Sequence, residues 1–91
     1  MTQEQTPELW RVFTILYGKK WFISELNQVG SVSSLITKQN EGFKTECIHV
    51  NLEDARLIIL HNRNIGERWG IVNKQGLQLV LDEYDNLFKR I

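Results

Sequence analysis

Residues Gly66 to Asp85 constrain this chain more than any other stretch. They run Gly66-Glu67-Arg68-Trp69-Gly70-Ile71-Val72-Asn73-Lys74-Gln75-Gly76, then Leu77 to Leu81, then Asp82-Glu83-Tyr84-Asp85. Trp69 and Ile71 fall on one side of an alternating pattern, and Leu77, Leu79 and Leu81 alternate with Gln78 and Val80. A period of two marks a strand with one buried face. Between the two runs, Asn73-Lys74-Gln75-Gly76 suits a type I turn closed by glycine, because Gly76 can take a positive φ without a Cβ penalty. The stretch predicts a hairpin. Gly70 beside Trp69 predicts a place where an indole or a neighbouring strand lies against bare backbone. An isolated hairpin cannot bury its own apolar side, so the rest of the chain or a partner must cover it.

Residues 43–50 alternate in the same way, with Phe43, Thr45, Cys47 and His49 on one face and Lys44, Glu46, Ile48 and Val50 on the other, which predicts a further strand. Leu57-Ile58-Ile59-Leu60 is a continuous apolar run whose period decides nothing. Asn51 with Glu53 and Asp54 would cap a helix there, whereas the β-branched pair Ile58-Ile59 and the turn-forming Asn62-Arg63-Asn64 favour a strand, which is the expectation. Residues 7–17 are also two-sided. Thr6-Pro7-Glu8 is a good helix start, and Leu9, Val12, Phe13 and Leu16 would share a helical face. Val12 to Ile15 are strand formers, however, and Tyr17-Gly18-Lys19-Lys20 makes a tight turn into Trp21-Phe22-Ile23, so strand is preferred. Residues 27–42 are the richest in turn-forming side chains, yet Val32, Leu35 and Ile36 imply an embedded short strand. At the C-terminus, Tyr84, Leu87, Phe88 and Ile91 sit at helical spacing after Asp82, so a short closing helix or a turn is expected. The fold class that follows is mainly β: a small antiparallel sheet of hairpins with about six strands, leaving room for a short helix at the N- or C-terminus.

In order and spacing, the last third of the chain resembles one unit of the WG (tryptophan-glycine) repeat, a short β module. That unit runs as Gly-Leu-Ala-Arg-Val, a short hairpin, Gly-Lys-Trp-Gly-Tyr-Ile-Asp, a turn ending in glycine, an apolar strand and Tyr-Asp. Here Ala55-Arg56-Leu57 stands for Ala-Arg-Val, Gly66 to Gly76 for the centre with Glu67 inserted, and Tyr84-Asp85 for the close, over about residues 54–88. The resemblance implies that Gly66, Trp69, Gly70, Gly76, Tyr84 and Asp85 are structural, and that the module is a building block and not a catalyst. Members usually carry many stacked copies, and this chain carries one good copy. Near residues 9–30, Gly18-Lys19-Lys20-Trp21-Phe22-Ile23 echoes Gly66-Glu67-Arg68-Trp69-Gly70-Ile71, with Arg11-Val12 ahead of the first as Arg56-Leu57 is ahead of the second. The echo lacks the glycine after tryptophan and the glycine turn. A degenerate duplication and a chance likeness between hairpins both stay open.

With 91 residues the chain fits one small domain. It buries about 60–65% of the surface its unfolded form exposes, which leaves little stability to spare. Eleven basic and eleven acidic side chains cancel. Polynucleotide binding draws most of its affinity from Lys and Arg against phosphates, so nucleic acid is not the expected partner unless a local patch forms. The candidates for such a patch are Lys19, Lys20, Arg63 and Arg68, interleaved with Trp21, Phe22 and Trp69. The competing reading turns the tryptophans into the core and leaves the cations on the opposite face. One cysteine, Cys47, cannot make an internal disulfide, no apolar run spans a membrane, and the polar N-terminus is not a signal peptide. A cytoplasmic protein without a cofactor is the expectation.

Cys47 and His49, two apart on a predicted strand, share a face, and His61 is the obvious third ligand for a metal or thiol site. The alternative is a half-buried cysteine beside a partly packed histidine. Glu53-Asp54 and Asp82-Glu83-Asp85 would serve as acid and base only if burial separated their pKa values, and their turn-like settings favour solvated carboxylates. Asp85 reads as a turn residue that bonds nearby backbone. No phosphate loop, serine triad or zinc-type cysteine pattern is present. Trp10, Trp21 and Trp69 are many for so short a chain, which leaves one as a surface anchor. The expected binding set is Trp10 with Tyr17 and Phe22, joined by Arg63 and Arg68. Together these features point to a non-enzymatic protein-interaction module. It would be a small binder or inhibitor, such as a bacterial or phage-like immunity protein, that masks a toxin or host enzyme. The routes are β-augmentation at a sheet edge or an aromatic patch, and homodimerisation through an edge is a variant. Nucleic-acid binding is the alternative reading, and a small metal or thiol enzyme the third.

Overall fold

The structure, a computed structural model, describes residues 8–37 and 46–90. In chain order its elements are β1 (Trp10–Leu16), β2 (Lys19–Leu26), β3 (Val32–Ile36), α1 (Leu52–Asn62), β4 (Arg68–Asn73), β5 (Gln78–Leu81) and β6 (Phe88–Arg90). The six strands form one antiparallel sheet in the order β3-β2-β1-β4-β5-β6. The first hairpin is set by its turn. Tyr17 and Gly18 both take positive φ, 53° and 75°, the geometry whose twist matches the flanking strands. That turn and the β-branched run before it decide for strand over helix in the first segment. Thr6 and Pro7, the expected helix start, lie outside the described residues. The second expected hairpin also forms. The Gly76 amide bonds the Asn73 carbonyl at 3.0 Å, Asn73 Oδ1 accepts from the Leu77 amide at 2.8 Å, and Gly76 has φ 92°.

The strand expected over residues 55–61 is instead the helix α1. β4 lies on the far side of β1 from β2 and β3, so the chain must cross the sheet to reach it. α1 lies on the face that this crossing spans, and tertiary demand overrides the β-propensity of Ile58-Ile59. The local signals for a helix were present: Asn51 Oδ1 accepts from the Asp54 amide at 2.8 Å, and Glu53 and Asp54 occupy the first turn. Ala55 and Ile59, four apart, pack against Trp10, Val12, Ile23, Trp69, Ile71 and Leu81, while Leu57 faces solvent. Asn62 fastens the far end. Its amide nitrogen donates to the Gly30 carbonyl at 3.0 Å, and its oxygen accepts from the Val32 amide at 2.9 Å. No described helix is long and apolar enough to cross a membrane.

Two other expectations are corrected. Residues 43–45 lie outside the described residues, and residues 46–50 make no strand, only a bridge between Trp10 and Val50 and a bond from the Ile48 amide to the Ile23 carbonyl at 3.0 Å. The alternation nevertheless holds: Cys47 packs with Phe13, Phe22 and Val72, whereas Ile48 and Val50 join the core under α1. At the C-terminus the helical spacing gives a turn and then β6. Asp82 Oδ1 accepts from the Tyr84 amide at 2.7 Å and Asp85 Oδ1 from the Leu87 amide at 3.1 Å, as expected for a turn aspartate. Asn86 takes the positive φ, 58°, that ends the turn. The sheet therefore has two unlike faces. α1 covers one, and among the described residues no helix covers the other.

A candidate binding surface on the open face

β1 is flanked by two strands that carry the two echoed segments, and their register matches. Thr14 pairs with Trp21 on one side and Trp69 on the other, Phe13 with Phe22 and Gly70, and Ile15 with Lys20 and Arg68. The triplets Lys20-Trp21-Phe22 and Arg68-Trp69-Gly70 thus hold equivalent positions about β1. They differ where the first has Phe22 and the second Gly70, and Phe13 explains why. Its ring meets Phe22 edge-on at 5.9 Å between centroids. A Cβ at Gly70 would come within 2.7 Å of Phe13 Cζ. One ring fills the space of two side chains, and the Leu79 carbonyl of the neighbouring strand lies closer still, 2.5 Å from where a Gly70 Cβ would stand, so Gly70 admits the strand and a phenylalanine and no indole.

Trp69 faces α1, and its indole N–H donates to Glu67 Oε1 at 3.0 Å. The same oxygen accepts from the Asn64 amide at 2.9 Å. Glu67 thus closes the loop and gives the indole N–H of the buried Trp69 its acceptor. These bonds, the one from Trp69 foremost, hold its carboxyl below the usual range. With its folded pKa lowered, the contribution of Glu67 is complete above the ordinary glutamate range and is lost as pH falls through the folded value. Glu67→Gln keeps an acceptor but cannot ionise, and is expected to reduce the acid limb of the stability profile. Glu67→Ala should cost about 1 kcal/mol at neutral pH. Thermal unfolding followed from neutral pH down through the carboxylate range checks both.

On the face away from α1, cations lie against the aromatic rings, and Arg11 is itself buried there with Phe13, Phe22 and Cys47. The Arg11 guanidinium lies 4.4 Å from the centroid of Phe22, and Lys20 Nζ lies 4.6 Å from that of Phe13. Lys20 also donates to Gln78 Oε1 across the width of β1 and β4. Burial first, and the neighbouring Arg11 charge second, lower the Lys20 pKa. Beside these cations an open groove of ≈ 620 Å³ is lined by Phe13, Ile15, Lys20, Arg68, Gln78 and Arg90, among others.

The expected anchors are redistributed. Trp10 is 4% exposed and Phe22 1%, so neither is a surface anchor. Trp10 shares the face of Val12 and packs under α1, while Phe22 lies beneath Arg11. Tyr17 is 98% exposed at the β1–β2 turn, and Tyr84 is exposed at the β5–β6 turn. Of Lys19, Lys20, Arg63 and Arg68, only Lys20 and Arg68 come together. Lys19 pairs with Leu16 and so alternates to the other face, and Arg63 bonds Asn86 Oδ1. Gln78 and Arg90 were not singled out by sequence, and only the placement of β5 and β6 brings them in. Cys47 is buried on the open side, which raises its thiol pKa, and burial lowers that of His49. His61 sits on α1, across the sheet, 3.3 Å from Ser31 Oγ, so it does not join them. Among the described residues no group of three His, Cys, Asp or Glu is arranged to hold a metal ion. A scan against models of protein families, a search of curated proteins and a search of solved structures found no match.

Proposed function

We propose that the chain is a non-enzymatic protein-interaction module, a small binder or inhibitor of the immunity type that acts by masking a partner such as a toxin or a host enzyme. The observation that carries this reading is the unlike pair of faces. α1 covers one, and the other presents a groove with an apolar floor and a basic rim. A sheet with one face covered by no helix among the described residues gains from a second layer, and a partner protein is a ready source of one. The exposed Tyr17 at the adjoining turn supplies an aromatic of the kind that dominates interface energetics. Action in the cytoplasm belongs to the same proposal, supported by the single cysteine.

The WG-like reading of residues 54–88 stands as a proposal beside it, with the echo at residues 9–30 standing in for a neighbouring unit. The matched register of the two triplets about β1 supports it. The helical state of Ala55-Arg56-Leu57, where the module has a strand, is a departure from the pattern. Affinity capture from the native host, followed by sedimentation of the recovered complex, tests the function. One stoichiometric protein partner whose own activity falls on binding is expected. A chain that captures nothing and sediments as an unaccompanied monomer would count against the proposal.

A further inference from the structure

We infer that the end of the sheet from which Tyr17, Ile65 and Tyr84 project is a docking surface, and that its occupant is a concave, uncharged cleft of the partner protein. This rests on reading the chain as a masking module, and it adds which end engages and what it enters. The register brings the three residues together. Ile15 pairs with Arg68 and Gly70 with Val80, so the β1–β2 turn, the loop entering β4 and the β5–β6 turn all lie at one end. The strand order sets the two turns three strand spacings apart, about 14 Å at about 4.8 Å each. Tyr17 is 98% exposed, Ile65 103% and Tyr84 91%, so each stands clear of the chain as a separate prong. A hollow of ≈ 310 Å³ lined by Gly66, Arg68, Asp82 and Tyr84, among others, lies between the second prong and the third. The groove on the open face reaches the same end through Ile15, Lys20 and Arg68.

Tyr17 is held there at a conformational cost. Its φ of 53° is in the left-handed region, which glycine and asparagine enter more readily than a bulky side chain does. An almost fully exposed ring gains little from its own chain to offset that strain, so its contact is sought outside. The chemistry of this end selects the occupant. Its charges are largely matched from within. Lys89 pairs with Asp82 and Asp85, Glu67 accepts from Trp69 and Asn64, Arg63 donates to Asn86, and Arg68 and Glu83 line one hollow with opposite signs. The prongs themselves are two phenols and an alkyl group, which call for apolar sockets with an acceptor for each hydroxyl. A lipid surface fits less well, because Asp82, Glu83 and Asp85 flank Tyr84 and repel anionic headgroups. A second copy also fits less well, because two projecting ends meet only at their tips. Two tyrosines and an isoleucine bury roughly 500 Å² a side, about 1,000 Å² for a pair, which is short of a standard interface. The walls of a cleft add contact around the prongs and make up the difference.

The test takes the partner recovered by affinity capture and uses the chain's two tyrosines, Tyr17 and Tyr84, as reporters. Tetranitromethane is expected to nitrate both rings in the free chain and neither in the complex. Tyr17→Asn with Tyr84→Asn should weaken binding by about tenfold or more. Val29→Asn, an exposed position in the β2–β3 turn at the opposite end, should leave it within about twofold. Tyr17→Asn alone should raise the urea midpoint, because asparagine suits the left-handed position. Nitration of both rings in the complex, full affinity in the double variant, or a midpoint that does not rise would each overturn the inference. So would co-sedimentation with phosphatidylcholine–phosphatidylserine vesicles, or a dimer of the chain, that the double variant abolishes. The two levels fail differently. A captured partner held equally by the double variant removes this docking end and leaves the masking function standing. A chain that captures no partner removes the masking function and the docking end with it.

Discussion

Gly70→Ala is expected to lower stability by about 3 kcal/mol, at the upper end of overpacking costs. The new Cβ would sit 2.5 Å from the Leu79 carbonyl oxygen and 2.7 Å from Phe13 Cζ. The first obstacle is the backbone of the paired strand β5 and cannot swing away. The second is a ring held against Phe22 on its other side. Either the β4–β5 pairing or the Phe13 packing must give, and a chain of this size has only about 5 kcal/mol in all. Urea unfolding is the check. Combining Gly70→Ala with Phe13→Leu should cost less than the sum of the two single changes, because the two sites share one space. Simple additivity, or a Gly70→Ala loss under about 0.5 kcal/mol, would mean that the strands do not approach as described.

Trp10→Ala should cost about 3–5 kcal/mol, the range for removing a large core aromatic. Trp10 packs with Val12, Ala55 and Ile59 under α1, and its backbone bridges Val50. The experiment separates the two roles a tryptophan can have here. A surface anchor would leave unfolding unchanged and lose only affinity, whereas a core residue loses stability first. Tyr17→Ala is the control, since its exposed ring should alter unfolding by no more than about 0.5 kcal/mol.

Both hairpins were legible in the sequence because their signals are local. Tyr17-Gly18 and Asn73 to Gly76 carry the turn chemistry, and the residues beside them alternate. Trp10 was legible too, since alternation with Val12 puts it on the core side. The helix was not legible in the same way. Leu57 to Leu60 suits a strand or a buried helix equally, and what decided it was the crossing from β3 to β4, which no local pattern records. Asn51 was the one local cue. For the binding surface, the sequence offered the cations but not their meeting. Lys20 and Arg68 are 48 positions apart by their numbers and become neighbours only because β1 lies between β2 and β4. The echo held that information in part: two matched segments paired to one central strand must present matched residues. Arg90 depends on the three-residue β6, whose position follows from the Asp82 to Asn86 turn.

The most direct measurement is the affinity of the captured partner for three forms of the chain: unaltered, Arg68→Glu on the open face, and Leu57→Glu on the exposed side of α1. Thermal unfolding of each form verifies that it is folded. Charge reversal on the open face is expected to weaken binding by about tenfold or more, and Leu57→Glu to leave it within about twofold. Loss of binding in Leu57→Glu with full affinity retained in the charge-reversed form would place the working surface on the helix side and contradict the proposed function.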